Sequence, residues 1–412
     1  MSNLLEKRTA HMPEMRPRLV VFSTLFPHPG QPNAGVFIRE RMFRVGRELP
    51  LVVVAPVPWF PFQGLIRYFR PHFRPNAPRH EIQQGFEVFH PRFFSIPGIF
   101  KSWDGLFMAV GSFLTLHKVK RNMGFDVIDA HFAYPDGDAA TLLGKWFNKP
   151  VTITLRGTEV PLSRIASRRR RMLLALRRAT RIFSVAESLK QHVVSLGIDP
   201  SKIQVVGNGI DTEKFYPLSR QQARQELGLP LDVPIIISVG GLVERKGFHR
   251  VIECLPELCK KFPGLCYLIV GGASAEGNWG ERLRQQVVEL KLENSVVFMG
   301  SMTSAQLKYP LSAANIFVLA TRNEGWANVF LEAMACGLPV VTTNVGGNAE
   351  VVTHSSVGNL VPFDDVVALR QTIEKALIKE WDASVIIAYA KENSWDKRVS
   401  ILKNEFSKLY KI

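Results

Sequence analysis

Cysteine is scarce: the 412 residues include only Cys254, Cys259, Cys266 and Cys336. None forms a CxxC pair or has the spacing of a metal-ligand set. The expectation is therefore buried, reduced thiols in a cytosolic chain. Long apolar runs are also missing. The longest stretch of interest, residues 105–116, is too short and too well flanked to span a bilayer. Residues 1–18 have neither the apolar core nor the cleavage pattern of a signal peptide. There is no short-period repeat and no low-complexity tract. Acidic residues are outnumbered, 36 against 52 basic, which leaves a formal charge of +16. Such a surplus favours anionic partners: phosphorylated substrates, anionic lipid or nucleic acid. The expected location is cytoplasmic, soluble or peripheral on the inner face of the membrane. With 46% hydrophobic residues, the chain can fill the cores of two domains.

Two familiar catalytic patterns are absent. No GxGxxG follows the first strand, which counts against a dehydrogenase, and no Ser–His–Asp or Cys–His arrangement stands out. The informative stretch is residues 323–347, NEGWANVFLEAMACGLPVVTTNVGG. The run before it, ANIFVLA at 314–320, has the composition of a buried parallel strand. A loop through Asn323, Glu324 and Gly325 follows. A helix is predicted from about Ala327 or Asn328 to Cys336, stopped by Gly337 and Pro339, and then a strand over 339–343. Glu324 then sits just before a helix N-terminus and Glu332 one turn inside it. The free N–H groups of that first turn suit an anion. The carboxylates suit vicinal hydroxyls, as on a sugar or ribose. The combination describes a nucleotide-sugar. The bland alternative is a pair of solvated carboxylates favoured by the helix dipole.

Elsewhere, strands alternate with helices in two series. The first runs through residues 18–22, 51–57, 126–130, 151–155, 182–185 and 203–206. The second runs through 235–239, 265–270, 296–299, 314–320 and 339–343. This alternation predicts two doubly wound parallel sheets. Residues 59–103, rich in proline, aromatics and basic side chains, read as an elaborate loop region. Asp136-Gly137-Asp138 spells DxD, a metal-binding word, but it runs into a predicted helix (139–147) and reads better as an N-terminal cap. Residues 167–181, SRRRRMLLALRRATR, put Met172, Leu173, Leu176 and Ala179 on one helical face among arginines. This is either an ordinary docked helix or a membrane-surface patch.

The Glu-x7-Glu spacing and LEAMACGLPVVTTNVGG resemble retaining GT-B glycosyltransferases, above all glycosyltransferase family 4. The passage NGID with Phe215 and Pro217 is similar to the family's handover between domains. The words Leu155-Arg156-Gly157, AHFAYPDG at 130–137 and EGW followed by Asn328 are similar to its teichuronic-acid branch. The resemblance implies an α/β GT-B fold: an acceptor-binding domain over 1–212, with the helix 396–412 crossing back, and a donor-binding domain over 213–395. It also implies a metal-independent enzyme without a cofactor, whose nucleotide-diphosphate sugar is a substrate. The acceptor would be a glycan or lipid-linked molecule of bacterial surface polysaccharide assembly. An anionic membrane surface is the further expected partner, and nucleic acid is not.

By the same resemblance, Glu324, Lys246 and Arg156 are the catalytic candidates. Glu324 would contact the donor sugar and Glu332 the ribose. Trp326, Ala327, Asn328 and Val329 would offer backbone N–H groups to the phosphates, and Gly35 would approach the diphosphate from the other domain. Lys246 matches the family lysine, whereas Gly241 stands where the family has arginine. Arg245 either replaces that charge or is a surface arginine. His131 and Asp136 are assigned to the acceptor side. Arg156 occupies a slot often held by histidine; it binds substrate or pairs with Glu159. Two rivals remain: a nucleotide-sugar epimerase of the same fold, and a non-catalytic basic module for membrane or nucleic acid, which leaves both glutamates unexplained.

Overall fold

The computed structural model describes residues 16–32, 34–69, 73–274 and 276–410. Most of the N-terminal stretch read for a signal peptide (1–15) and the end of the C-terminal segment (411–412) therefore lie outside the described residues. Packing divides the chain into two compact units: residues up to 154, 165–182 and from 399 on form one; residues 155–164 and 183–398 form the other.

Short Val- and Ile-rich runs become strands because both faces of a parallel sheet are covered and polar alternation is not needed. In chain order the first ten are β1 (Leu19–Phe22), β2 (Leu51–Val54), β3 (Val57–Trp59), β4 (His80–Gln83), β5 (Phe86–Phe89), β6 (Arg92–Phe94), β7 (Val127–His131), β8 (Val151–Leu155), β9 (Arg181–Ser184) and β10 (Ile203–Val205). Eight of them form a sheet of order β10-β9-β8-β7-β1-β2-β5-β4. Leu19 of β1 lies opposite Leu51 on one side and Val127 on the other. The order reverses between β1 and β7, so the loops after these two strands meet at one end of the sheet.

Residues 59–103 are not the loop region their composition suggested. β4 and β5 form an antiparallel hairpin at the sheet edge, β3 and β6 pair parallel in a sheet of their own, and Gln63–Phe69 is a short helix. Proline and arginine masked strands of three or four residues, too short for a visible alternation. Residues 105–116 lie within the helix Asp104–Asn122. Among the described residues no helix is long and apolar enough to cross a membrane. The arginine-rich segment folds as the helix Ala166–Arg178, with Met172, Leu173, Ala175 and Leu176 buried and Arg171 bound to Asp138. It is a docked helix with a basic outer face.

The second sheet contains β11 (Ile235–Val239), β12 (Cys266–Val270), β13 (Val296–Gly300), β14 (Ile316–Leu319), β15 (Val340–Thr343) and β16 (Gly358–Val361), in the order β13-β12-β11-β14-β15-β16. All its pairs are parallel. Its reversal lies between β11 and β14, where a doubly wound sheet opens a crevice at its carboxyl end. β16 and the helices Val366–Ile378 and Ala383–Glu392 complete this unit without a sequence signal strong enough to have placed them. All four cysteines are free: Cys259 is half-buried, while burial pushes the thiols of Cys254 and Cys336 up to about 12 and that of Cys266 to about 11.

The helix Glu187–Ser195 has no side-chain cap of its own. Glu350, from the turn of helix Asn348–Val351, supplies one: its carboxylate accepts the backbone N–H groups of Glu187 (2.5 Å) and Ser188 (2.9 Å). Glu350→Ala should therefore cost about 1 kcal/mol of stability, and Glu350→Gln, which keeps an acceptor, less. Urea unfolding of the two variants checks this; equal losses would show that the carboxylate does not act as a cap.

Candidate active site

The loops after β11 and β14 carry the residues of interest, so the reversal point of the second sheet brings them together. Lys246 Nζ donates to Glu324 Oε1 at 2.6 Å, and Arg245 Nη1 donates to the same oxygen at 3.1 Å. The Thr321 hydroxyl lies 3.2 Å from that oxygen. Arg245 also grips Glu276 with two parallel bonds, of 2.9 and 2.7 Å, and donates to the carbonyl of Asn323 at 2.8 Å. The fork with Glu276 raises the Arg245 pKa still further and holds the Glu276 carboxyl below its usual range. The bland alternative of a solvated carboxylate at 324 does not hold. Instead Glu324 is only 9% exposed, because cation and carboxylate neutralise each other in a partly desolvated crevice. A Cβ on Gly241 would lie 3.0 Å from Ser274 Cβ, so that side chain would have to give by a few tenths of an ångström.

Backbone packing fixes the Glu324 loop. Gly346 has φ of 52°, and a Cβ on it would come within 2.0 Å of the Glu324 carbonyl oxygen. Gly347 donates its N–H to that oxygen at 3.0 Å. Only glycine permits such an approach. The helix Asn328–Ala335 then starts at Ala327 without a side-chain cap, so its first-turn N–H groups, those of Asn328 and Val329 among them, are not claimed by one. Trp326 turns its ring towards Gly207 and packs on Val185, Ala186 and Leu189. Glu332, one turn into the helix, is half-buried. Burial pushes its carboxyl up to about 7, against the pull of Lys214 and Lys246.

Arg156 joins this site through side-chain amides. Its Nη1 donates to Asn208 Oδ1 at 3.1 Å, and Asn208 Nδ2 donates to Asn328 Oδ1 at 2.9 Å, at the first residue of the helix. Glu159 accepts the backbone N–H groups of Arg156 (3.2 Å) and Gly157 (2.8 Å). A Cβ on Gly157 would lie 3.2 Å from the Cα of Gly325. Thr321 and Glu276 are contributors that no motif singled out, and Asn208 belongs to the NGID passage, which gave no sign of its bonds to Arg156 and Asn328. Only the position of Thr321, just past a strand end, offered a hint.

The remaining candidates belong to the first unit. Gly35, with φ of 68°, opens the helix Val36–Gly46, and a Cβ on it would come within 2.1 Å of the Leu25 carbonyl oxygen. His131 is fully buried, its Nε2 3.4 Å from Asp129 Oδ2. Asp136 accepts the backbone N–H of Thr24 (2.5 Å) and its hydroxyl (3.1 Å), tying together the loops after β7 and β1, and burial raises its carboxyl to about 7. The capping role expected of the DxD word is not what forms. The helix Asp138–Phe147 has no side-chain cap, and Asp138 accepts from Arg171 at 2.8 and 3.1 Å. Its two carboxylates thus serve different partners.

The family described as group 1 glycosyl transferases matches residues 219–393, and Glycosyltransferase Family 4 matches residues 67–214. The chain belongs to the group 1/family 4 glycosyltransferases. Bacillus subtilis TuaC, named for teichuronic acid biosynthesis, is 26% identical to this glycosyltransferase over 338 residues, 80% of this chain and 82% of TuaC. The D-inositol 3-phosphate glycosyltransferase of Acidothermus cellulolyticus is 31% identical over 218 residues. That match spans 51% of this chain and only 49%, about half, of the relative. Among solved structures, sucrose-phosphate synthase from Thermosynechococcus elongatus aligns with a TM-score of 0.75 at 20% identity, over 96% of this chain and 99% of the other. Anabaena HepE in complex with UDP gives 0.72 at 20% identity, over 96% and 100%. At that identity the likeness is one of fold, and the fold is GT-B.

Two outcomes follow from this geometry. Lys246→Ala leaves the Glu324 carboxylate with Arg245 alone among its cations, which should cost about 1–3 kcal/mol. Unchanged urea unfolding would rule out a stabilising ion pair. The second concerns pH. The Glu332 carboxyl titrates near 4.5 when unfolded and about 7 when folded, so the folded chain holds the extra proton in between. Its contribution to stability is fully present below that window and is lost as pH rises through it. Glu332→Gln cannot ionise, so wild type should lose stability relative to this variant between these two pH values. Parallel unfolding curves across pH would contradict it.

Proposed function

We propose that this glycosyltransferase is a retaining enzyme that moves a sugar from a nucleotide-diphosphate donor to a glycan or lipid-linked acceptor in bacterial surface polysaccharide assembly. The observation that carries the reading is the cluster of Lys246, Arg245 and Glu324 just before the N-terminus of helix Asn328–Ala335, with Glu332 one turn inside. A departing diphosphate needs cations and N–H donors held in place beforehand. Lys246, Arg245 and the first turn of the helix supply them. In the ligand-free chain those cations are occupied by Glu324 and Glu276, so an entering diphosphate displaces carboxylates rather than water. Glu324 is then released to accept hydrogen bonds from sugar hydroxyls, and Glu332 from the ribose. The anomeric C–O bond to phosphate breaks, and the acceptor oxygen bonds to the anomeric carbon on the same face. The acceptor proton passes to the leaving phosphate oxygen, so no side-chain nucleophile is required.

In this reading residues 213–395 bind the donor, and residues 1–212 with 396–412 bind the acceptor, where His131, Asp136 and Gly35 shape the loops. The enzyme needs neither metal nor cofactor, has no nucleic-acid partner, and works in the cytoplasm at an anionic membrane surface. HepE, solved with UDP, and TuaC, named for teichuronic acid biosynthesis, support the donor type and the pathway.

A thermal-shift screen of nucleotide-sugars identifies the donor, and kinetics with it test the roles. Glu324→Gln should abolish transfer, and activity should persist in EDTA. Arg156→Ala should lower turnover and weaken substrate binding without moving the pH optimum, because a guanidinium stays charged throughout. Arg156→Lys should keep part of the activity. Wild-type constants for both Glu324→Gln and Arg156→Ala would overturn the site. Turnover lost in EDTA and restored by manganese would overturn the metal-free mechanism.

A further inference from the structure

The first unit exposes large apolar side chains that packing does not explain. Phe62, Tyr68 and Phe69 are 82%, 84% and 81% exposed, and Leu65, Phe100 and Trp103 are also exposed. Exposed apolar residues scattered singly are ordinary, but a group confined to one surface marks an interaction site. Hydrogen bonds link the elements that carry these side chains. Arg67, on the helix Gln63–Phe69, donates to the carbonyl of Arg74 at 2.8 Å. Arg74 donates to the carbonyl of Ser95 at 2.6 Å, and the Ser95 hydroxyl accepts from Lys101 at 2.8 Å. The short helix and the turn Lys101–Trp103 are therefore held on one platform. Exposed Val110 and Leu114 extend it along the helix Asp104–Asn122, which ends in exposed Lys118, Lys120 and Arg121. The helix Ala166–Arg178 packs beside the turn and adds exposed Arg169 and Arg170.

We infer that this aromatic platform, rather than the arginine-rich helix alone, seats the enzyme on an anionic lipid bilayer, with Phe62, Leu65, Tyr68 and Phe69 entering the interfacial layer and the flanking cations meeting lipid headgroups. The inference rests on the membrane reading proposed above and names the surface responsible. Aromatic rings are favoured at the headgroup boundary, where one edge is apolar and the other wet, and a basic rim adds attraction that salt screens. The charge pattern selects lipid over a second copy of this chain, because a two-fold contact through this face would press its cations against each other. The arginine-rich helix contributes charge only, since its apolar side is already buried in the protein.

Vesicle sedimentation tests this with phosphatidylcholine alone and with phosphatidylcholine mixed with phosphatidylglycerol. The full-length chain should bind the mixed vesicles and release them in high salt. The triple variant Leu65→Ser, Tyr68→Ser, Phe69→Ser should keep its thermal unfolding midpoint and lose roughly tenfold or more in partitioning. Arg169→Glu with Arg170→Glu should weaken binding to the anionic vesicles specifically. A triple variant that binds like wild type overturns the surface assignment alone. Wild type that ignores both vesicle types overturns the membrane reading as well, while the transfer reaction is judged separately by the donor kinetics. A wild-type dimer in analytical ultracentrifugation that becomes monomeric in the triple variant gives the surface to a second copy and overturns the lipid assignment.

Discussion

Two adjacent cations share one carboxylate oxygen, and much of the second unit is arranged to let them. Arg245 and Lys246 lie on one loop and Glu324 on another, and the reversal of strand order between β11 and β14 puts those loops side by side. Coulomb repulsion between neighbouring cations would push such a loop outward. Glu324 beneath and Glu276 beside remove that repulsion, and the buried Thr321 hydroxyl completes the contacts around the shared oxygen. The glycines at 346 and 347 let backbone close over the Glu324 carbonyl, so the carboxylate is held from behind as well as from the front.

The same arrangement sets the chemistry. On the proposed reading, a crevice whose cations are already paired would bind a doubly charged phosphate chain by exchanging partners. Specificity then depends on more than charge: a ligand must displace carboxylates and also give their freed oxygens hydroxyls to hold. Inorganic phosphate offers the first and not the second, whereas a nucleotide-sugar offers both. Arg156 is linked through Asn208 to the first residue of the helix Asn328–Ala335.

Much of this could be read along the chain, for reasons that differ between residues. Buried parallel strands announce themselves as apolar runs, so most strands of both sheets were legible. The helix after Glu324 was bounded by Gly337 and Pro339, and its start fell within one residue of Asn328. The hairpin of β4 and β5 was not legible, because four-residue edge strands need not alternate. The burial of Glu324 was not legible either, since charge in sequence says nothing of the partner that buries it. Glu276 has no local signature, since it matters only through Arg245, 31 residues away, and the NGID passage placed Asn208 without revealing its link to Arg156 and Asn328. The capping reading of Asp136-Gly137-Asp138 failed for the same reason, as Thr24 and Arg171 claim those carboxylates from a distance.

The buried thiol at the end of the helix after Glu324 has one more consequence. Cys336 is buried where Asn328–Ala335 stops, with its pKa pushed up to about 12. A thiol in that state is unreactive until the helix end opens, because the thiolate is the nucleophile. Its rate of alkylation is therefore a clock for local unfolding at the C-terminal end of that helix, read against half-buried Cys259 as a faster reference on the same chain. A ligand that bound at the other end of this helix and stabilised it would slow that clock without any turnover taking place.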